Sequence, residues 1–168
     1  LVQACAYLPP LPRWKLVLIG EGDRTSLQVL ATDLGIADHL LFTVSDDMGL
    51  YYSAADIYVS TSLTESFGLA NLEALVMDLP AVCTAVGGVS EVVGSGAWLI
   101  PAQDKRVLAQ VLQILVEDTD VRQHWHHCAH QWAQSWPTVN QIADAYIAMY
   151  QGNPLPVFSY PPTPRPSP

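Results

Sequence analysis

The segment Glu65-Ser66-Phe67-Gly68-Leu69-Ala70-Asn71-Leu72-Glu73 carries the side chains best suited to chemistry in this chain. Two carboxylates stand eight residues apart, with a glycine between them. The glycine opens an apolar helical pattern, so Glu65 falls in the loop before a helix and Glu73 on the helix itself. Backbone N–H groups at a helix start are unpaired and lie at the positive end of the helix dipole, which makes that point a seat for an anion. With the helix beginning near Gly68, Glu73 lies roughly 7 Å along it. That is about the reach from a diphosphate to the hydroxyls of its ribose. A carboxylate accepts hydrogen bonds from two neighbouring hydroxyls, as the acidic residue of dinucleotide folds does. Glu65 faces the other side of the anion, where a transferable sugar would sit. A loop acid and a solvated helical acid are the plain alternative.

These residues need a scaffold, and the surrounding pattern supplies one. Five short apolar runs read as strands of a mostly buried parallel sheet: Leu16–Ile19, Leu40–Thr43, Ile57–Ser60, Pro80–Thr84 and Ala97–Ile100. Helical patterns alternate with them over Ser26–Leu34, Asp47–Ala54, Gly68–Val76 and Ser90–Val93. Alternation of this kind predicts an α/β fold with a doubly wound parallel sheet. Three helices follow, Lys105–Glu117, Val121–Trp132 and Val139–Tyr150, and the Val107, Leu108, Val111, Leu112, Leu115 face of the first should pack on the sheet. In an open parallel sheet the ligand sits outside the carboxyl ends of the strands. The segments leaving those ends are Gly20–Gly22, Val44–Asp46, Thr61–Glu65 and Val86–Gly88, so the double-glutamate segment lies where a site belongs. The opening Leu1–Leu8 reads as the end of an amphipathic helix, and the chain is expected to begin inside a larger protein.

The other candidates are weaker. Gly20-Glu21-Gly22 lacks the third glycine of a dinucleotide loop, and a tight strand-to-helix turn explains it equally well. Gly87-Gly88 either brings the backbone close to something or turns it sharply, and Ser90 reads as a helix N-cap. His124, His126, His127 and His130 could share helical faces, but the zinc signature fails because His127 follows His126 where a glutamate is needed. With no carboxylate nearby in the sequence, exposed histidines are expected and no metal. No serine elbow is present, and Cys83 inside an apolar strand reads as a buried, inert thiol.

Composition narrows the class. The 168 residues allow one domain, taken as residues 1–152, with a proline-rich tail over 153–168. Seven of the thirteen prolines fall in that tail, which is expected to be extended or disordered. The net charge of −9 argues against nucleic acid as a partner and leaves helix dipoles, or segments beyond this sequence, to attract a polyanion. Cys5, Cys83 and Cys128 form no ladder, so reduced thiols in the cytosol are the expectation.

The strand ending in GEGD, the block AADIYVSTSLTESFGLANLEAL, the turn LPAVCTAVGGVSEVV and the closing LIPAQD together resemble the donor-binding half of retaining GT-B glycosyltransferases of group 1. The likeness runs from about Lys15 to Tyr150, and SWPTVNQIADAYIAMY is similar to the family's closing helix, with Trp136 as its recurrent aromatic. The resemblance implies a Rossmann-like C-terminal half of a GT-B fold, followed by closing helices. It implies that Glu65 is catalytic, contacting the donor sugar near the reacting carbon. The backbone of Phe67, Gly68, Leu69 and Ala70 would cradle the diphosphate, Glu73 would hold the ribose, and the segment around Val44 would hold the base through main-chain groups, with Gly20 a further donor-binding candidate. The donor would be a nucleotide-diphosphate sugar, used with retention and without a metal. The acceptor, whether saccharide, lipid or small molecule, would belong to an N-terminal domain absent from this sequence. The implied location is cytoplasmic, with attachment to a membrane surface left open for a full-length form.

This sequence departs from the family in three ways. The arginine and lysine that neutralise the diphosphate should come from upstream, and Arg13 and Lys15 are no substitute, standing at the amino end of a strand. The acceptor half is missing. Asp78 replaces the usual glycine where the double-glutamate helix ends, a position aspartate tolerates. A non-catalytic nucleotide-sugar-binding module and a nucleotide-sugar epimerase on the same fold remain the alternatives.

Overall fold

The strongest order in the molecule is the alternation of short strands with helices that wrap them. The structure, a computed structural model, describes residues 1–9 and 14–154. Arg13 and the proline-rich tail beyond Pro154 lie outside the described residues. The elements are α1 (Val2–Cys5), β1 (Leu16–Ile19), α2 (Thr25–Asp33), β2 (Leu40–Thr43), α3 (Met48–Ala54), β3 (Tyr58–Ser60), α4 (Leu69–Val76), β4 (Ala81–Thr84), α5 (Val89–Val93), β5 (Ala97–Ile100), α6 (Lys105–Glu117), α7 (Thr119–Ser135) and α8 (Val139–Tyr150).

All five expected strands form, and every neighbouring pair is parallel. Hydrogen bonding divides them into a pair, β1–β2, and a triplet, β3–β4–β5, where the sequence suggests one continuous ladder. Both sheets nevertheless contribute to a single core. Leu16 and Leu18 of β1, Val59 of β3, Val82 of β4 and Ile100 of β5 pack together beneath α1, α2 and α6. The opposite face of the triplet, with Ala81, Cys83 and Ala97, packs under α4, α5 and α7. β4 is therefore covered on both faces, which is why Ala81–Thr84 is buried along its whole length. Burial pushes the Cys83 thiol up to about 12, as an inert cysteine requires.

The expected face of α6 is the buried one, with Leu108, Val111, Leu112 and Leu115 all in the core. α7 is longer at both ends than its apolar pattern indicates. Asp118 caps it by accepting from the N–H groups of Asp120 and Val121, and Pro137 follows its end. Its buried Trp132 donates from Nε1 to the carbonyl of Val92 at 2.8 Å, fixing α7 to α5. α8 carries a Thr138–Gln141 capping box yet buries none of its residues. Among the described residues no helix is long and apolar enough to cross a membrane.

One contrast among the helix starts bears on function. Asp47, Asp104, Asp118 and Thr138 cap α3, α6, α7 and α8 with their side chains. The start of α4 has no side-chain cap, as is also true of α1, α2 and α5.

Candidate functional site

The loop from β3 to α4 is held in place from beneath by groups distant in sequence. Thr84, 3% exposed at the end of β4, donates from Oγ1 to the carbonyl of Ser62 at 2.7 Å. The N–H of Gly88 donates to the carbonyl of Glu65 at 3.2 Å. Gly87 has a φ of +52°, and a Cβ there would lie 1.8 Å from the Glu65 carbonyl oxygen. A Cβ on Gly88 would lie 2.2 Å from the carbonyl oxygen of Ser66. The two glycines thus let one backbone rest directly on another, which decides between the two sequence readings of that pair in favour of close approach. Ser90 is inside α5 and not its N-cap. Gly88 takes the cap position, because buried Val89 already belongs to the helix.

Held this way, Glu65 is half-buried and lines an open depression of about 530 Å³ with Leu63, Thr64, Ser66 and Gly87. Its carboxylate accepts from the N–H of Ser66 at 3.2 Å, which orients one oxygen.

α4 begins where the sequence places it, with Gly68 as N-cap in the left-handed region at φ 79° and ψ 61°. A Cβ there would fall 2.4 Å from Nδ2 of Asn71, a buried side chain whose Oδ1 accepts from the Tyr58 hydroxyl at 3.0 Å. The turn therefore requires glycine both for its conformation and for the asparagine beneath it. Among the described residues, the N–H groups of Phe67, Gly68, Leu69 and Ala70 donate to no protein acceptor. Leu69 is 65% exposed, so this end of the helix dipole opens to solvent. Phe67 meets Trp136 edge-on with centroids 5.8 Å apart, which ties the backbone before α4 to the chain after α7.

Glu73 is exposed on α4, five residues past Gly68, and its Oε2 accepts from the hydroxyl of Tyr52 at 3.1 Å. Tyr52 is buried on α3 and also reaches the carbonyl of Ala70 at 3.4 Å. Burial, then the hydrogen bond to Glu73 and its charge, push the Tyr52 hydroxyl up to about 12, so it remains a donor. Among the described residues the second carboxylate oxygen of Glu73 accepts no side-chain hydrogen bond.

Gly20 and Val44 lie at the carboxyl ends of β1 and β2, both exposed. The N–H of Gly20 donates to the carbonyl of Thr43 at 3.0 Å. Oγ1 of Thr43 lies 3.3 Å from the hydroxyl of Tyr51, and Tyr51 adjoins Tyr52 on α3. Hence α3 links the Gly20–Val44 end of the first sheet to Glu73 on α4. Lys15 instead donates to the carbonyl of Asp38, at the amino ends of β1 and β2, away from this edge.

Sequence reasoning missed Tyr52, Thr84 and Arg24, whose Nη2 donates to the carbonyls of Gly20 and Thr43. Each acts across more than eighteen residues or through backbone, and no motif marks it. The histidines also hold a surprise. A carboxylate does approach them, from the end of α4: Nδ1 of His130 lies 3.0 Å from Oδ1 of Asp78, and Nδ1 of His126 donates to the Asp78 carbonyl at 2.6 Å. Asp78 adopts φ +59° there, the left-handed position expected of it. No group of three potential metal ligands is assembled among the described residues.

Comparison with known proteins places the chain in a family. The family described as glycosyl transferases group 1 matches residues 1–132. A D-inositol 3-phosphate glycosyltransferase of Salinispora arenicola is 33% identical over 137 residues, covering 75% of this chain and 31% of that protein. Among solved structures, the sucrose-phosphate synthase of Thermosynechococcus elongatus superposes with a TM-score of 0.77 at 26% identity, over 90% of this chain and 40% of the other. Anabaena HepE, crystallised with UDP, superposes with a TM-score of 0.82 at 24% identity, over 90% of this chain and 44% of that one. The chain thus spans less than half the length of each.

Proposed function

The chain belongs to the glycosyl transferases group 1, and on that premise we propose that it is the donor-binding half of a hexosyltransferase that uses a nucleotide-diphosphate sugar and retains anomeric configuration. One observation carries the reading: Glu65 and Glu73 bracket the uncapped start of α4. The diphosphate rests on the free N–H groups of Phe67 to Ala70, the ribose on Glu73, and the sugar against Glu65. The base end lies along Gly20 and Val44. Solved relatives crystallised with UDP and UDP-glucose support a donor of this class.

In the transfer, the bond between the anomeric carbon and the phosphate oxygen breaks while the acceptor oxygen bonds to the same face of that carbon. The acceptor proton passes to the leaving diphosphate. Negative charge grows on the diphosphate, and the fixed dipoles at the start of α4 favour that charge without having to reorganise. Glu65 orients the sugar hydroxyls next to the reacting carbon. The acceptor is bound by a second domain beyond these 168 residues, so the isolated chain is expected to bind nucleotide weakly and transfer nothing.

Titration calorimetry with UDP-, GDP- and ADP-sugars tests the reading. One of the three should bind, and turnover by this chain alone would contradict the assignment of the acceptor to another domain. Tyr52→Phe removes the hydroxyl that orients Glu73, and nucleotide binding should weaken about fivefold, the worth of one hydrogen bond. An unchanged dissociation constant would show that Tyr52 does not serve the ribose end.

A further inference from the structure

We propose that Arg24 is a positioning residue for the nucleoside end of the donor, an assignment that rests on the donor reading above. Its Nη2 donates to the carbonyl of Gly20 at 3.0 Å and to that of Thr43 at 3.3 Å. These two carbonyls stand where β1 and β2 end, and one guanidinium spans both strand tips. The residues so joined are Gly20 itself and the one before Val44, the two backbone positions assigned to the base end.

Packing does little to hold this region. Val44 is 52% exposed, and Gly20 would leave a Cβ in open space with nothing within 4 Å. Polar links must therefore fix the spacing of the two tips. The N–H of Gly20 joins the tips directly by donating to the Thr43 carbonyl at 3.0 Å, Tyr51 of α3 holds Thr43 on the far side, and Arg24 adds a second tie on the near side. Both bonds leave the one nitrogen Nη2, whose two N–H groups are held in the guanidinium plane, a geometry that the freely rotating ammonium of lysine does not fix. Among the described residues no carboxylate lies within ion-pair distance of Arg24. Its charge therefore stays uncompensated at the edge where an anionic ligand arrives, although the nearest phosphate seat, the start of α4, is built without it.

The separation of those two seats supplies the test. Wild type, Arg24→Ala and Arg24→Lys are titrated with UDP, GDP, ADP and inorganic pyrophosphate, and their thermal midpoints are recorded. For the best-bound nucleotide, Arg24→Ala should raise the dissociation constant about tenfold, as expected for lost charged hydrogen bonds. Pyrophosphate binding and the midpoint should stay close to wild type. Arg24→Lys, which keeps the charge and loses the planar N–H pair of Nη2, should not restore nucleotide affinity. Wild-type nucleotide affinity in Arg24→Ala overturns the proposal. So does an equal loss for pyrophosphate, which would mean a general effect on fold or charge, and so does full rescue by lysine. A wild-type chain that binds neither nucleotide nor pyrophosphate sinks the donor reading itself, and this assignment with it.

Discussion

Gly87→Ala should displace the Glu65 loop and weaken both the fold and donor binding more than any change to an exposed side chain. Two terms combine. An L-residue at φ +52° is strained by about 1–2 kcal/mol. The added methyl would also lie 1.8 Å from a backbone oxygen of Glu65 and 3.0 Å from its carbon, and neither atom can rotate away as a side-chain tip could. One of the two loops must shift, adding roughly 1–3 kcal/mol. For a domain of this size the sum corresponds to a fall of about 5–15 °C in melting temperature. Gly35→Ala is the control: its φ is +71°, but a Cβ there meets nothing within 4 Å. It should show the strain without the collision. Calorimetric melting of the two variants separates the terms, and equal melting temperatures would mean that the two loops do not rest on each other as described.

Glu73→Ala should leave the fold nearly intact and remove most of the nucleotide affinity. The side chain is exposed, and Tyr52 retains the Ala70 carbonyl as a second acceptor at 3.4 Å, so the folded state loses little. Binding loses an ionised acceptor for two neighbouring hydroxyls. With each of the two charged hydrogen bonds worth about 1.5 kcal/mol or more, affinity should fall roughly 100-fold or more. Glu73→Gln can still accept one such bond and should fall between alanine and wild type. The measurement is titration with a nucleoside diphosphate, with inorganic pyrophosphate as reference. On the proposed geometry pyrophosphate occupies the start of α4 without reaching Glu73, so its affinity should hold. An unaltered nucleotide affinity in Glu73→Ala would remove the ribose from this side chain and, with it, the bracketed geometry.

The two predictions differ in how far the sequence reaches. Glu73 and the start of α4 were legible because helix geometry is local: a glycine, an apolar period and a carboxylate five residues on are enough to place a charge along an axis. The strands were legible for the same reason, and their bounds agree with the apolar runs to within one residue at either end. Gly87 was visible as a glycine but not as a support. Its importance comes from the Glu65 backbone, twenty-two positions away, lying against it. Ser90 shows the opposite error, a residue with the right chemistry for a cap that the helix overruns by starting one residue earlier.

By itself, then, the amino-acid order determined the α/β alternation, the helix that offers its unpaired N–H groups, and the two acids on either side of it. All follow from interactions between residues close along the chain, and from the rule that parallel strands present their carboxyl ends to ligands. The tertiary structure alone decided what holds those parts at working distance. It set Tyr52 on Glu73, Thr84 beneath the loop, Gly87 under Glu65 and Arg24 across the tips of β1 and β2. It also split the strands into two hydrogen-bonded sheets above a common core. Such contacts join residues far apart in sequence. Their partners are often main-chain atoms, which every residue carries and which no sequence pattern can mark.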